Sequence, residues 1–299
     1  MNQHKFGCIL SRPDARDLLV RFTDAHIKAF DPTLTTQPPS FDLRSIYTLP
    51  PHLAEADQHK LACSSTFAVT YAIMIDAVRR APHLVIKPSY LFVYYNQRQL
   101  EGTVCADLGG EIRTAIKSLN RFGLCESSLW EFKPENALLL PPSKAFDQAQ
   151  RLAIKYARID FSNDHTGPAR ISHLKRTLLS GYPICFAFSS HPTFESDITS
   201  VTGAVSMPDS SEQVIGKQAV CITGYNDTKG CFIVKNSWGL NWGLDGAFNL
   251  PFEYASDPSL CSDFWVTQLF SNPKAAPQFS PGDVSITPST KTSNNCYLL

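Results

Sequence analysis

The segment most informative about the fold is residues 232–250, which read FIVKNSWGLNWGLDGAFNL. It begins inside an apolar run at residues 231–235, and a short apolar run beside turn residues predicts a β-strand. Asn, Ser, Trp and Gly then follow in direct succession, with a second Trp-Gly pair shortly after them. Taken alone, such a stretch fits either a glycine- and tryptophan-rich turn between two strands or a functional motif.

Two further segments place polar residues beside elements of predicted secondary structure. Residues 57–68 read DQHKLACSSTFA, and residues 216–227 read GKQAVCITGYND. Apolar residues at helical spacing predict a helix over residues 65–80, which Pro82 ends. A short apolar run predicts a strand over residues 219–223. The polar residues of interest therefore lie at the start of a helix and beside strands.

Together, the three segments resemble the papain-like cysteine peptidases. The stretch 232–250 is similar to that family's Asn-Ser-Trp-Gly signature, which is followed by Trp-Gly and a Gly-aromatic strand. The resemblance covers roughly residues 7–270, and we expect no inhibitory prosegment of the kind found in the lysosomal enzymes before Gln58. Residues 88–102 and 107–130 also resemble segments of the family. Residues 12–17 and 41–44 resemble its bacterial branch.

The order of predicted elements indicates an α+β protein. The three predicted helices, at residues 65–80, 111–122 and 172–180, all precede the predicted strands at 184–188, 219–223 and 231–235. The resemblance implies a two-lobed papain-like fold with a cleft between the lobes. A helical lobe would hold the helix at Ser64, and a β-barrel-like lobe would carry Gln218 and Asn236.

The same comparison suggests boundaries along the chain. Residues 1–40, rich in proline, are expected to form an irregular N-terminal arm, and residues 41–270 the papain-like domain. Within that domain the helical lobe would span about residues 41–160 and the β lobe about 161–270. Residues 271–299 are dominated by Pro, Ser, Thr, Asn and Gly, which predicts a flexible tail.

The resemblance also assigns site positions. The family's chemistry uses a thiolate at a helix N-terminus, an imidazole base, an amide that orients the imidazole, and a glutamine that stabilises the oxyanion. Gln58 matches the oxyanion glutamine, Asn236 the orienting asparagine and Trp238 the tryptophan that covers it. The nucleophile position falls on Ser64, and the histidine position falls on Gln218.

Two of the catalytic groups are therefore expected to be replaced. A serine hydroxyl needs a general base to become a useful nucleophile, and the amide of Gln218 cannot take up a proton near neutral pH. Removing one member of such a unit lowers the rate by about 10⁴- to 10⁶-fold in serine proteases. We expect a proteolytically inactive homologue, a pseudoprotease, that binds a host protein or peptide in the cleft.

Two alternatives remain open. In the first, the chain is an active peptidase or acyl transferase that uses Cys63 or Ser64 with a relocated base. One helical residue turns the side chain by about 100°, so Cys63 would point elsewhere unless it lies on the loop before the helix. Candidate bases by residue type are His59, His165, His173 and His191. In the second alternative, the domain is an inert carrier for a lipidated tail.

Composition narrows the classes of partner and cofactor. Lys plus Arg and Asp plus Glu both total 27, and this balance argues against a nucleic-acid partner. Nine scattered cysteines without a CxxC pair indicate reduced thiols, and no Cys/His cluster has the spacing of metal ligands, so no metal or organic cofactor is expected. We expect no transmembrane helix, because no run of 18 apolar residues occurs, and no secretory signal peptide.

The C-terminal residues carry a second motif. Cys296 is followed by Tyr-Leu-Leu, which fits the C-a-a-X prenylation box, and the terminal Leu favours geranylgeranyl. A host prenyltransferase and a membrane, bound through Cys296, are therefore expected partners. One prenyl chain binds membranes only marginally, and the tail lacks a polybasic cluster, so another surface must contribute. A bacterial-type domain with a eukaryotic lipidation box predicts an effector made in bacterial cytoplasm, delivered to host cytosol and bound to membranes.

Overall fold

The computed structural model describes residues 4–34, 36–159, 161 and 166–270. The predicted tail with Cys296 and the candidate base His165 lie outside these residues. The strands are β1 (Cys8–Ile9), β2 (Leu19–Val20), β3 (Ser40–Asp42), β4 (Gly110–Glu111), β5 (Ala153–Ile159), β6 (Ile184–Ser190), β7 (Gly216–Asn226), β8 (Cys231–Lys235), β9 (Ala247–Pro251) and β10 (Cys261–Phe270).

The helices differ widely in length. They are α1 (Asp24–Phe30), α2 (Leu43–Ile46), α3 (Pro51–Ala54), α4 (Ser64–Arg80), α5 (Tyr90–Glu101), α6 (Ile112–Phe122), α7 (Ser143–Gln148), α8 (Gly167–Leu179), α9 (Asp197–Thr202) and α10 (Phe252–Ser256). Within the described residues, no helix is both long and apolar enough to cross a bilayer.

Helix α4 is the central helix of the structure. It starts one residue before the predicted start and ends at the predicted Arg80. Residues 64–77 are all buried, because α4 packs between the sheet and the helices α5 and α6. Helix α6 presents the predicted apolar face, and it ends at Gly123, whose φ of +85° favours glycine.

Eight of the described strands form one large sheet that explains the α+β class, and β1 and β4 form a separate two-stranded sheet. The order of the large sheet is β2-β5-β10-β6-β7-β8-β9, and β3 pairs with β7. One face of the sheet packs against α4, and α8 and α10 contribute to a second core cluster. The predicted α+β class is confirmed, but the β-barrel-like lobe is corrected: in the described part of the chain the sheet is open and does not close into a barrel.

Some boundaries predicted from sequence are wrong. The first 40 residues are not irregular throughout, because β1 pairs with β4 and β2 pairs with β5. The helix predicted at residues 172–180 begins earlier, at Gly167, with a proline in its first turn. The strand predicted at residues 219–223 extends over Gly216–Asn226, whereas the strand at 231–235 has the predicted bounds.

A buried carboxylate joins α4 to the last strand. The side chain of Asp76 is 2% exposed. It accepts hydrogen bonds from the Leu269 backbone N–H at 2.5 Å and from Arg80 Nε at 2.6 Å. Because both donors lose their partner in Asp76→Ala, we expect the free energy of unfolding to fall by about 2–4 kcal/mol in urea denaturation.

The matched control is Asp209→Ala. Asp209 is exposed and bonds only within its own turn, to Ser211, so its replacement should change the free energy of unfolding by less than about 0.5 kcal/mol. Equal effects of the two substitutions would contradict the role given to Asp76.

Candidate functional site

The structure brings the predicted site residues together between α4 and the sheet. Gln58 lies on the loop before α4, and Ser64 is the first residue of that helix. Gln218 lies on β7, and Asn236 directly follows β8. Gln58, Ser64 and Gln218 have no exposed surface, and Asn236 is only 3% exposed. The site is therefore buried.

Hydrogen bonds between amide groups hold the centre of the site. Gln218 Nε2 lies 2.9 Å from Gln58 Oε1, 3.2 Å from Asn236 Oδ1 and 3.3 Å from Ser237 Oγ. An amide nitrogen has two hydrogens, and Ser237 Oγ itself donates to Gln58 Oε1 at 2.5 Å. We therefore assign the two hydrogens of Gln218 to Gln58 and Asn236. The network is electrically neutral.

The hydroxyl of Ser64 faces the sheet backbone. Its Oγ accepts a hydrogen bond from the Ala219 N–H at 3.1 Å, one residue beyond Gln218. Among the described residues, no imidazole, carboxylate or amine hydrogen-bonds to this hydroxyl. Ser64 therefore has the location expected of a nucleophile at a helix start, but no partner there that can remove its proton.

Cys63 lies on the boundary between the loop and α4, as its N-cap residue. Its Sγ points towards the Leu61 carbonyl at 3.8 Å, inside an apolar cluster that includes Phe67 and Tyr94. Burial raises the pKa of the Cys63 thiol, which disfavours the thiolate needed for nucleophilic chemistry. Of the cysteines in the described residues, Cys105 alone is exposed.

The candidate histidines have other surroundings. His59 Nδ1 lies 3.5 Å from Asp57. His191 Nδ1 lies 3.0 Å from the Tyr254 hydroxyl. His173 lies on α8, and its ring packs edge-on against Phe161 at 5.4 Å. These contacts engage the histidines in the fold and do not bring them to Ser64.

Lys235 is a titratable group that the sequence analysis did not single out. Burial lowers the pKa of Lys235 to about 8, a range suited to a general base. However, its Nζ donates to the carbonyls of Ala54 at 3.1 Å and Gly246 at 3.0 Å. Lys235 thus fixes the end of β8 and the position of Asn236, its neighbour in the chain.

The N-terminal arm crosses the site, which the sequence analysis also missed. The Lys5 carbonyl accepts a hydrogen bond from Gln58 Nε2 at 2.6 Å, and the Gly7 carbonyl accepts one from the Gly110 N–H at 3.1 Å. The same Gln58 Nε2 donates to Leu61 O at 2.8 Å. Both amide hydrogens of Gln58 are therefore used, and none is left for the oxygen of a substrate.

The start of the arm is fixed by a ring contact and a carboxylate. His4 stacks on Trp238 with ring centroids 4.9 Å apart, and its Nε2 lies 3.1 Å from Asp57 Oδ1. Burial alone would raise the pKa of Asp57, but hydrogen bonds from His4 and from the His59 backbone N–H lower it. Trp238 is consequently covered by the arm.

Glycine allows the arm to approach the α4 loop closely. A Cβ on Gly7 would lie 2.1 Å from the backbone carbonyl of Ala62, two residues before Ser64. A Cβ on Gly109 would lie 2.4 Å from Gly7 O, and Gly109 has a φ of +86°. Gly7 and Gly109 are the residues in the sequence that could have indicated this close approach. However, the need for glycine at these positions depends on neighbours distant in the chain.

The family profile described as papain family cysteine protease matches residues 38–257. The chain belongs to this papain family. It is 43% identical over 285 residues to a peptidase C1-like protein of Acanthamoeba polyphaga mimivirus. The aligned region covers 94% of this chain and 91% of the relative. The family predicted from the three motifs is thus confirmed.

Solved papain-family structures agree with the fold. Xylellain, a cysteine protease from Xylella fastidiosa, is 30% identical and superposes with a TM-score of 0.73, covering 88% of this chain and 95% of xylellain. The proCathepsin B S9 of Trypanosoma congolense is 16% identical, with a TM-score of 0.66 and coverage of 89% and 87%. The predicted papain-like fold is therefore confirmed, whereas the roles of individual site residues remain predictions.

Replacing Gly7 by leucine tests how the arm is held. The leucine side chain cannot fit against the Ala62 backbone, so Gly7→Leu should displace the arm and free the Gly110 N–H. We expect the Gly110 amide to exchange its hydrogen at least about tenfold faster by mass spectrometry. Leu10→Ala, at an exposed position nearby, should leave that exchange rate unchanged. Unchanged protection in Gly7→Leu would refute this account of the arm.

Proposed function

We propose that this papain-family protein has no peptidase activity and acts by binding another protein. The observation that carries the proposal is the pairing of Gln218 with Gln58 and Asn236. If Gln218 stands where the family has its histidine, as the motif implies, a neutral amide occupies the place of the base. Ser64 then lacks a proton acceptor, and loss of one such group lowers rates by about 10⁴-fold or more.

The covered site supports the same proposal. The Lys5 carbonyl takes one amide hydrogen of Gln58, and His4 covers Trp238. A peptide would have to displace the arm before it reached Ser64. An accessible groove remains beside the arm, and we place the segment of a partner protein there. Its lining includes His52, Glu55, Asp57, His59, Tyr90, Glu131 and Phe132.

Rebuilding the family's catalytic pair tests the loss of activity. Wild type should release no product from a broad peptide pool, because Ser64 has no base. Ser64→Cys with Gln218→His supplies a thiol and an imidazole at the two positions. We expect this double variant to hydrolyse peptides, and to do so faster when Gly7→Leu also displaces the arm. The measurement is the initial rate of product release.

Single substitutions provide the controls for that experiment. Ser64→Cys alone should remain inactive, because it lacks the imidazole. Gln218→His alone should be slower than the double variant, because its imidazole would act on the Ser64 hydroxyl, a weaker nucleophile than a thiolate. Hydrolysis by the wild type that is lost in Cys63→Ala or Ser64→Ala would instead support an active peptidase or acyl transferase with a relocated base. Binding of partner proteins that survives every change in the groove and site would favour the inert carrier.

The tail supports a second part of the proposal, attachment to membranes. For a chain that ends at Leu299, Cys296–Leu299 form a prenylation box. The relative at 43% identity belongs to a virus named after an amoeba, which is a eukaryote. We therefore propose synthesis inside a eukaryotic host cell, where prenyltransferases act, in place of delivery by a bacterium.

The substitution Cys296→Ser tests membrane attachment in a eukaryotic cell. It removes the sulfur that would carry the prenyl group, so the protein should shift from the membrane fraction to the cytosol on cell fractionation. Cys105→Ser is the matched control, because Cys105 is an exposed cysteine outside the motif and its loss should change nothing. An unchanged distribution of Cys296→Ser would reject prenyl anchoring.

A further inference from the structure

Three consecutive leucines are exposed on one loop of the domain. Leu138, Leu139 and Leu140 are 52%, 54% and 67% exposed. Single exposed apolar residues are common on soluble proteins, but a continuous apolar patch marks a surface that is covered by something else. The loop takes no part in the site around Ser64, so the proposed binding of a partner protein beside that site does not account for it.

Hydrogen bonds from a buried arginine fix the position of this loop. The guanidinium of Arg98, which is fully buried, donates to the carbonyls of Val104 at 3.2 Å and Ala106 at 3.1 Å. The same group donates to the carbonyl of the buried Ala137, the residue directly before the leucines. The Leu139 N–H bonds back to Asn136 O at 3.0 Å. The leucines are therefore exposed on a fixed turn.

We propose that this leucine loop, residues 138–140, inserts into the surface of a lipid bilayer. The inference deepens the proposed membrane attachment and rests on it for its cellular setting, although the contact itself needs no prenyl group. It would provide the second contribution that a single prenyl chain requires for stable binding.

The backbone of the loop favours lipid over a protein partner. Pro141 and Pro142 follow the leucines and carry no N–H, and the Leu139 N–H is already bonded, so these three positions have no free N–H that would lose water on insertion. Successive residues of a turn also point in different directions. A fluid bilayer can surround three such side chains, whereas a flat protein face would cover only some of them.

Charges near the loop determine what kind of lipid surface it fits. Glu131 pairs with Lys133 at 3.0 Å, and Glu135 and Lys144 add one charge of each sign. The surroundings thus give no net attraction for anionic headgroups. Binding should depend on apolar contact, with similar strength on zwitterionic and anionic vesicles and little dependence on salt.

Vesicle flotation of the unlipidated full chain tests the inference. The protein would be made in bacteria that lack prenyltransferases and mixed with excess phosphatidylcholine vesicles, with and without phosphatidylserine. We expect wild type to float with both. The triple variant Leu138→Ser/Leu139→Ser/Leu140→Ser should bind at least about tenfold less, because it loses the exposed apolar side chains.

A second apolar surface provides the matched control. Ile198 and Val201 on α9 are 70% and 73% exposed, and Ile198→Ser/Val201→Ser should float like wild type. Thermal unfolding of both variants should match wild type, because only exposed side chains change.

Three results would overturn the inference: no flotation of wild type, equal flotation of the triple variant, or a wild-type dimer in sedimentation that the triple variant lacks. Prenyl anchoring is tested separately, by cell fractionation of the Cys296→Ser variant. Failure of the leucine loop and failure of prenyl anchoring are therefore distinguishable.

Discussion

The side chain of Gln58 holds the two halves of the site and the arm together. Its Nε2 donates to Lys5 and Leu61, and its Oε1 accepts from Gln218 and Ser237. Every hydrogen-bonding position of this fully buried amide is filled. Each such bond contributes about 1 kcal/mol, and loss of Gln58 would leave four partners without it, three of them in a buried setting. The helical lobe, the sheet and the N-terminal arm thus depend on one side chain.

The amide network also has an energetic cost, because not every polar atom in it is hydrogen-bonded. Gln218 Oε1 and Asn236 Nδ2 are buried and lack a hydrogen-bond partner among the described residues. Buried polar atoms without partners destabilise a fold by about 1–3 kcal/mol each. The glutamine therefore fits the site without satisfying all of its hydrogen-bonding groups. The arm compensates by adding contacts at Gln58 and Trp238.

The three motifs, through their resemblance to the papain family, were sufficient to predict the family and the grouping of Gln58, Ser64, Gln218 and Asn236. Apolar periodicity predicted the start of α4 to within one residue. Periodicity predicts helices such as α6, and short motifs lie at element ends, where geometry is set locally. The arm could not be predicted in this way. Its contact from Lys5 to Gln58 spans 53 residues, and Gly7 is required only because the Ala62 backbone passes beside it.

Local sequence patterns also could not predict whether the sheet closes into a barrel. The sheet draws β2 from the N-terminal region and β10 from residues 261–270, and both pair with β5. No spacing within a single strand encodes whether the two edges meet. Helix α8 shows the reverse case, since its early start at Gly167-Pro168 is a local signal that apolar periodicity overlooks.

The distribution of thiols has a practical consequence for chemical labelling. Electrophilic probes designed for cysteine peptidases report on an accessible thiolate, and Cys63 is neither accessible nor readily ionised. Within the described residues such a reagent would meet Cys105 first. A labelled band on a gel would therefore mark a surface thiol and not turnover. Within the described residues, the same residue offers an exposed attachment point for a fluorophore, two residues from Asp107, which binds the Lys5 side chain of the arm at 2.9 Å.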